Sequence, residues 1–477
     1  MSHAANSSNT QVTQALVITA GRGSRLDSLT RVGPKTLLPV LGVPIVDRTL
    51  ATLSRVGIRD VVITVGFEGD QVRRHVGDGA RFGLWVRYAC NDHWDAGNAR
   101  SVAAAKPLLS GDFLLVMGDH LVDERIVAAV ARQEIPGDVL VAVDRTGDRE
   151  GATRLLIEGE HVVDIGKDIA RWNATDIGVF RCSPKFLVKA DALVAAGIDE
   201  LADVIGVVDA DTFDIATIPA YVPNLRRTVR PWWADIDTPA DATAAECLLI
   251  DNSTKEASDA LARWVHRPIE NALVAPLARS TPITPNQVSL GVNVVAYGVT
   301  ALYASGLLLA GSLLSFVVGL GDGLDGKLAR VKQQVSKVGS LEHAFDMLYE
   351  YSWVLALAWA IHRSRGGAAP LVLAGVAVAV IAFYRSVYDQ YGKQAGHSLD
   401  DAGAFDRWFR RVAGRRNLYN LWILACILAG APAAALWAIT AHACVTGLVY
   451  ALRATTLLRR LDRVARPPSQ EEPATPG

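Results

Sequence analysis

The sequence has few cysteines and almost no net charge. Its five cysteines are scattered through 477 residues without paired spacing, so neither a zinc site nor a disulfide framework is predicted, and a reduced cytosolic face is expected. A formal net charge of −1 gives no indication of nucleic-acid binding. We find no internal repeat. Residues 1–14 are polar and lack the apolar core of a signal peptide, which predicts a disordered tail.

Hydrophobicity is unevenly distributed along the chain. Residues 15–250 alternate apolar runs of strand length with polar, helix-like stretches, which predicts a soluble α/β domain. Residues 284–456 are dominated by Ala, Leu, Val and Gly, which predicts an all-α transmembrane domain. The basic amphipathic segment 251–283 between them predicts a helix in the membrane interface, with an ordinary linker helix as the alternative. Residues 457–477 are predicted to be a basic helix end and a disordered tail.

The apolar half predicts six membrane spans, since each needs about 20 mainly apolar residues. They are residues 286–306, 308–331, 340–362, 368–391, 417–431 and 432–455. Basic residues concentrate before the first span, between the second and third, between the fourth and fifth, and after the sixth. By the positive-inside rule, both termini lie on the cytoplasmic side of the cell membrane, as do the inner ends of spans two and three.

Carboxylates interrupt this apolar half. Asp322 and Asp325 are three residues apart and share one helix face. A second acidic face follows with Glu342, Asp346 and Glu350, spaced four residues apart. Each charge in a bilayer costs about 2.5–3.5 kcal/mol, which indicates function. Oxygen ligands in this number predict a cage for divalent cations such as Mg²⁺. The alternative is a set of structural ion pairs with the neighbouring bases Lys327, Arg330 and Lys332.

The spacing Asp-x2-Asp-Gly-x2-Ala-Arg, from Asp322 to Arg330, closely resembles the signature of the CDP-alcohol phosphotransferases. These are integral membrane enzymes with two divalent metals, and the family commonly forms homodimers. The resemblance implies that Arg330 binds substrate and that Asp346 is the general base. It also implies four metal ligands, Asp322, Asp325, Glu342 and Asp346. The family's usual gap after Gly339 would instead place acids at His343 and Met347, so a shifted pair, His343 and Glu350, stays open as the alternative.

The soluble half begins with a β-branched strand that runs into a glycine-rich loop. Gly21 and Gly23 let backbone N–H groups approach a phosphate closely. A second motif, residues 33–45, supplies Lys35 as a positive charge for phosphates. Together these segments resemble the opening motifs of sugar-phosphate nucleotidyltransferases, and three later segments agree with that resemblance. The three are residues 95–101, 113–119 and 233–241.

This second resemblance implies a role for each matched residue. Asp119 and Asp235 would hold Mg²⁺, or Mn²⁺, with Asp237 as the alternative to Asp235. Arg25 and Lys35 would be catalytic, because they neutralise charge on the phosphorus under attack. Lys167 would hold the phosphate of the acceptor. The remaining residues implied to bind substrate are Ala20, Gly21, Gly23, Gly97 and Asn98.

The order of the two halves resembles the bifunctional inositol-phosphate cytidylyltransferases and di-myo-inositol-phosphate-phosphate synthases. The resemblance implies CTP, inositol 1-phosphate and CDP-inositol as substrates, and a second inositol 1-phosphate as the acceptor. Arg385, Arg415 and Arg416 would bind the acceptor's phosphate, or anchor the loop by the positive-inside rule. The alternatives are a phospholipid synthase that uses a lipid alcohol, and a non-catalytic membrane tether.

Overall fold

The computed structural model of the protein describes residues 11–23, 26, 33–147, 151–256, 259, 261–280, 282–334 and 341–465. The chain divides into two compact units, Met1–Val222 with Thr228–Asn252 and Pro223–Arg227 with Ser253–Gly477. The first strand begins at Gln14, and Val12 is already buried, so ordered structure starts inside the segment expected to be a tail. Residues 1–10 and 466–477 lie outside the described part.

The strands of the chain belong mainly to the first unit. They are β1 (Gln14–Ile18), β2 (Pro39–Val40), β3 (Val43–Pro44), β4 (Asp60–Val65), β5 (Trp85–Cys90), β6 (Phe113–Met117), β7 (His120–Val122), β8 (Val139–Asp144), β9 (Arg154–Glu158), β10 (His161–Gly166), β11 (Ala174–Cys182), β12 (Ala210–Asp214), β13 (Tyr221–Val222), β14 (Arg227–Thr228) and β15 (Trp233–Asp235). The helices of this unit are α1 (Ile45–Val56), α2 (Gly69–Val76), α3 (Ala99–Ala105), α4 (Glu124–Val130), α5 (Pro184–Ala195), α6 (Leu201–Ile205) and α7 (Pro239–Asn252).

Within the part of the chain that the structure describes, nine strands form the main sheet, in the order β5-β4-β1-β6-β11-β8-β12-β10-β9. β1 is buried along its whole length, as expected for a central strand that is covered on both faces. It runs parallel to β6, with Ile18 opposite Met117. The glycine-rich loop after β1 and the acid after β6 therefore emerge at the same edge of the sheet, where ligands of α/β proteins commonly bind. The predicted α/β class of this half is confirmed.

The second unit is helical. Its helices are α8 (Arg267–Ser280), α9 (Pro285–Ser305), α10 (Leu308–Val331), α11 (Glu342–Arg365), α12 (Ala369–Ala395), α13 (Ala404–Phe409), α14 (Arg416–Leu428) and α15 (Pro432–Ala465). A π-helical turn, Ala262–His266, leads directly into α8. Trp264 is 74% exposed in this segment, and Val265, Ile269 and Leu273 are also exposed, as an interfacial helix requires.

Helices occupy all six positions predicted to span a membrane. Within the described residues, four are long and apolar enough to do so: α9, α10, α12 and the Pro432–Arg463 part of α15. α11 is not apolar enough, because it carries acids near its start and His362, Arg363 and Arg365 in its last turn. α14 has only 13 residues, about 20 Å of helix against an apolar bilayer core of about 30 Å. The count of six spans therefore stays a prediction.

Candidate active sites

A two-stranded ribbon builds the candidate site of the first unit. β7 pairs antiparallel with β15, and this register places His120 opposite Asp235. Asp119 lies between the end of β6 and the start of β7, so it reaches the same place. Ligand atoms of Asp119, His120 and Asp235 all lie within 4.8 Å of one another. The structure thus brings together the two aspartates that the sequence predicted as metal ligands.

Lys35 lies in the middle of these acids. Its Nζ is 2.8 Å from Asp119 Oδ2, 2.7 Å from Asp237 Oδ1 and 3.6 Å from Asp235 Oδ1. Burial alone would lower the pKa of Lys35, but the three carboxylates raise it above its ordinary value. The same ammonium helps to hold the pKa of Asp119 well below its ordinary value, against the opposing effect of burial. Lys35 is therefore a permanent cation at the end of the glycine-rich loop.

The glycine-rich loop is shaped around that lysine. Gly23 has a φ of +68°, and a Cβ at this position would lie 2.7 Å from Cβ of Lys35, so only glycine fits. Ala20 is buried directly after β1, whereas Gly21 is exposed and a Cβ there would meet nothing within 4 Å. Exposed backbone at Gly21 suits the predicted contact with a phosphate. The predicted catalytic residue Arg25 lies outside the described residues.

His120 is held in place by two neighbours. Its Nδ1 donates to Asp119 Oδ1 at 2.8 Å, and its ring stacks on Trp233 with centroids 6.1 Å apart. Trp233 in turn donates from Nε1 to Asp144 Oδ2 at 3.2 Å. Burial alone would lower the pKa of His120, but the neighbouring aspartates raise it to about 9. No role was predicted for His120 or Trp233, because the pairing of β7 with β15 leaves no pattern in the sequence.

Three predicted substrate-binding residues lie elsewhere in the unit. A Cβ at Gly97 would be 2.3 Å from the carbonyl oxygen of Asp199, so this glycine permits a close backbone approach. Asn98 Oδ1 accepts a hydrogen bond from the backbone of Leu201 at 2.7 Å. Lys167 is exposed just after β10. The amide of Asn98 is thus committed to the fold, and contacts of these residues with substrate stay predictions.

The donor set of the first site suits a divalent cation. Oδ1 of Asp235 is buried and accepts no hydrogen bond from any described residue, although Lys35 Nζ is 3.6 Å away. Burial raises the pKa of Asp235, with the Asp119 charge adding to the effect. Asp176, also near His120, has its pKa raised to about 6, chiefly by burial. A bound cation would reduce the electrostatic repulsion between these carboxylates.

A cavity of about 380 Å³ forms the candidate site of the second unit. Its acidic lining comes from Asp259, Glu270, Asp322, Asp346, Glu350 and Asp389, and its basic lining from Arg226, Arg385, Arg415 and Arg416. Two predicted metal ligands, Asp322 and Asp346, therefore line the same cavity. Both residues of the open alternative, His343 and Glu350, also line it.

The other predicted ligands are placed differently. Asp325 is buried, accepts a hydrogen bond from Ser289 Oγ at 2.5 Å, and is not among the described residues that line the cavity. The side chain of Glu342 lies outside the described part of the chain. Arg330 Nε donates to the carbonyl of Ser253 at 2.6 Å, away from the described lining. The metal-binding roles of Asp325 and Glu342 and the substrate-binding role of Arg330 therefore stay predictions, and Asp322 and Asp346 are the predicted ligands that line the cavity.

The arginines of the cavity are held by acids. Arg385 Nη2 is 2.5 Å from Glu350 Oε2, and Arg416 is hydrogen-bonded to Asp322 and to the hydroxyl of Tyr349. Arg415 pairs at 3.0 Å with Asp400, which is buried and also bonded to the hydroxyl of Tyr388 at 2.8 Å. Asp346 forms no ion pair with any residue that the structure describes. Asp389, another acid of the lining, likewise forms no ion pair with a described residue, and the general-base role of Asp346 stays a prediction.

Two family models match the chain in the order of its two units. The nucleotidyl transferase model matches residues 14–151, and the CDP-alcohol phosphatidyltransferase model matches residues 283–449. A bifunctional IPC transferase and DIPP synthase of Rubrobacter xylanophilus is 31% identical over 338 residues, which are 69% of this chain and 72% of that protein. The chain belongs to this family.

Further relatives agree with this assignment. The bifunctional IPC transferase and DIPP synthase of Aquifex aeolicus is 26% identical, over 85% of this chain and 90% of its own length. A solved inositol-1-phosphate CTP transferase from T. maritima is 25% identical with a TM-score of 0.42, and covers 49% of this chain and 92% of its own. The two family models and the two curated relatives confirm the predicted fusion: this family member is a membrane enzyme with nucleotidyltransferase and CDP-alcohol phosphotransferase activities.

Proposed function

We propose that the first unit condenses CTP with inositol 1-phosphate to give CDP-inositol and pyrophosphate. The second unit then transfers the inositol-phosphate group of CDP-inositol to a second inositol 1-phosphate and releases CMP. The observation that carries the proposal is the match to bifunctional relatives over both halves of one chain. Because both sites are on one polypeptide, tethering raises the local concentration of CDP-inositol at the second.

In the first step, a phosphate oxygen of inositol 1-phosphate attacks the α-phosphorus of CTP, and the bond to pyrophosphate breaks. No general base is needed, since that oxygen is ionised at neutral pH. Lys35 supplies positive charge beside the phosphorus, and Asp119 and Asp235 would hold Mg²⁺, which neutralises charge on the phosphates when bound. The stacked His120 keeps Asp119 oriented.

In the second step, a hydroxyl of the acceptor attacks the β-phosphorus of CDP-inositol, and the bond to CMP breaks. The hydroxyl proton passes to Asp346, a cavity-lining acid that forms no ion pair with any described residue. Asp322 would hold Mg²⁺ together with acids of α11. Arg385, Arg415 and Arg416 on the cavity lining favour a phosphorylated, water-soluble acceptor over a lipid alcohol.

We further propose six spans with both termini on the cytoplasmic side, and a homodimer. The distribution of basic residues and the four apolar helices support the topology. A protease-accessible tag at each terminus tests it in inside-out and right-side-out vesicles. Cleavage of both tags only in inside-out vesicles is expected, and cleavage in right-side-out vesicles would contradict the orientation.

The proposed reactions can be separated in the detergent-solubilised protein. With CTP, Mg²⁺ and labelled inositol 1-phosphate, we expect pyrophosphate first, then CMP and a labelled product that stays in water. Asp119→Asn should block both products, and added CDP-inositol should restore CMP release. Asp346→Asn should accumulate CDP-inositol. A labelled product that partitions into chloroform would instead support the phospholipid synthase. If no pyrophosphate forms with inositol 1-phosphate, this compound is not the substrate of the first unit.

A further inference from the structure

Two glycines of α10 face polar side chains of the interfacial segment. A Cβ at Gly319 would lie 3.1 Å from Cε1 of His266, and a Cβ at Gly323 would lie 2.0 Å from Oε1 of Glu270. The two glycines are four residues apart, and so are His266 and Glu270, so one helical turn of α10 packs against one turn of the interfacial segment. The glycines therefore let an imidazole and a carboxylate rest against the backbone of α10.

The carboxylate of Glu270 is fixed from the other side. Its Oε2 is 3.5 Å from Nζ of Lys327, a lysine that is 1% exposed and also hydrogen-bonded to Asn271. One oxygen thus faces a buried cation, and the other lies over Gly323. This arrangement keeps the carboxylate in place as a hydrogen-bond acceptor.

His266 and Glu270 both line the cavity that holds Asp322, and Asp322 lies between the two glycines in sequence. No role was predicted for either residue from the sequence. Their chemistry is that of base recognition. A carboxylate accepts hydrogen bonds from the exocyclic amino group of cytosine, whereas uracil presents a carbonyl oxygen at that position, which a carboxylate repels. An imidazole N–H can donate to the C2 carbonyl oxygen that both bases carry.

The geometry points to Glu270 and His266 as the residues that recognise the cytosine of the CDP-alcohol in the second unit. Glu270 accepts from the amino group, and His266 donates to the C2 carbonyl oxygen. The inference rests on the proposed function, because it places the donor nucleotide in this cavity beside Asp322. It adds a reason why the phosphotransferase consumes a cytidine nucleotide and not a uridine nucleotide.

The test compares CDP-inositol and UDP-inositol as donors, with inositol 1-phosphate as acceptor, for the full-length protein in detergent. Glu270→Gln exchanges an acceptor oxygen for an amide, which can donate to the uracil carbonyl. We expect kcat/KM for CDP-inositol to fall, kcat/KM for UDP-inositol to rise, and their ratio to drop roughly tenfold to hundredfold. Asp462→Asn, on the exposed end of α15, is the matched control and should keep the wild-type ratio.

The other possible outcomes separate a failure of this inference from a failure of the proposed function. Equal loss with both donors, or an unchanged ratio, would overturn the inference and leave the proposed function intact. No CMP from CDP-inositol with the wild-type protein would instead overturn the proposed function. If Glu270→Gln does not fold because Lys327 loses its partner, Glu270→Asp is the replacement variant. It keeps the negative charge, but its shorter side chain moves the carboxylate away from the amino group of cytosine. That variant should raise KM for CDP-inositol without raising activity on UDP-inositol, and wild-type kinetics would refute the inference.

Discussion

The ammonium of Lys35 lies 2.8 Å from Asp119, at the point where the glycine-rich loop meets the end of β6. Its side chain is 7% exposed, so replacing it leaves a cluster of carboxylates without their cation. We expect Lys35→Met to lower kcat/KM for CDP-inositol formation roughly 100- to 1000-fold. CMP release from added CDP-inositol should be unchanged, which serves as an internal control. Lys106→Met, in an exposed ion pair, should retain both activities, and near-wild-type cytidylyl transfer by Lys35→Met would refute the role.

Asp235 is the predicted second metal ligand of the first site, and Asp237 is the alternative. Asp235 Oδ1 lies within ligand distance of Asp119 and His120, whereas Asp237 Oδ1 pairs directly with Lys35 at 2.7 Å. We expect Asp235→Asn to raise the Mg²⁺ concentration for half-maximal CDP-inositol formation by roughly tenfold to hundredfold. Asp237→Asn should change the Mg²⁺ requirement less. A Mg²⁺ titration of both variants measures this, and a shift confined to Asp237→Asn would reverse the assignment.

Trp233 positions the site without a predicted contact to substrate. Its ring stacks on His120, and its Nε1 donates to Asp144. Trp233→Phe keeps most of the ring surface but loses the hydrogen bond, at a cost of about 1 kcal/mol of stability. We expect a lower thermal midpoint and a modest fall in kcat at saturating CTP and Mg²⁺. Trp233→Ala should also raise the Mg²⁺ requirement, because His120 no longer holds Asp119. An unchanged Mg²⁺ requirement in that variant would contradict the positioning role.

The sequence predicted most of the chemistry but not all of its placement. Asp119, Lys35 and Asp235 were predicted because each lies in a short segment that resembles a motif of the sugar-phosphate nucleotidyltransferases, and such segments are local in sequence. The partners His120 and Trp233 come together only through pairing of β7 with β15, which is a contact between distant segments. Likewise, the helix spacing that put Asp325 on a face with Asp322 could not show that Ser289 binds it outside the cavity lining. Glu270 and His266 were missed because they approach α10 from another helix.

The acids of α11 should divide their roles in phosphotransfer. Asp346 has no ion pair among the described residues, whereas Glu350 is paired with Arg385 at 2.5 Å. We therefore expect Asp346→Asn to lower CMP release roughly 100- to 10,000-fold, the usual worth of a general base. Glu350→Gln should instead raise KM for the acceptor, because Arg385 loses its anchor. CDP-inositol formation by the first unit is the control for both. Intact CMP release in Asp346→Asn would refute the base assignment.

Asp138 should make the first unit sensitive to acid. Burial alone would raise the pKa of Asp138, but hydrogen bonds from Lys189 and from the backbone of Asp209 lower it below its ordinary value. A carboxylate with a lowered folded-state pKa stabilises the fold above its unfolded pKa of about 3.9, and that stability is lost as the pH falls through the lower value.

Asp138→Asn should therefore lower the thermal midpoint at pH 7, in line with a loss of about 1–3 kcal/mol for a buried, charge-assisted hydrogen bond. The difference from wild type should shrink as the pH falls from about 4 through the lowered folded-state pKa, where the wild-type carboxylate becomes protonated. Asp191→Asn is the matched control, since Asp191 forms an ion pair of the same 2.5 Å length with Lys106 but is 43% exposed. It should change the midpoint little at any pH. An equal effect of the two substitutions at pH 7 would show that burial of Asp138 is not the cause.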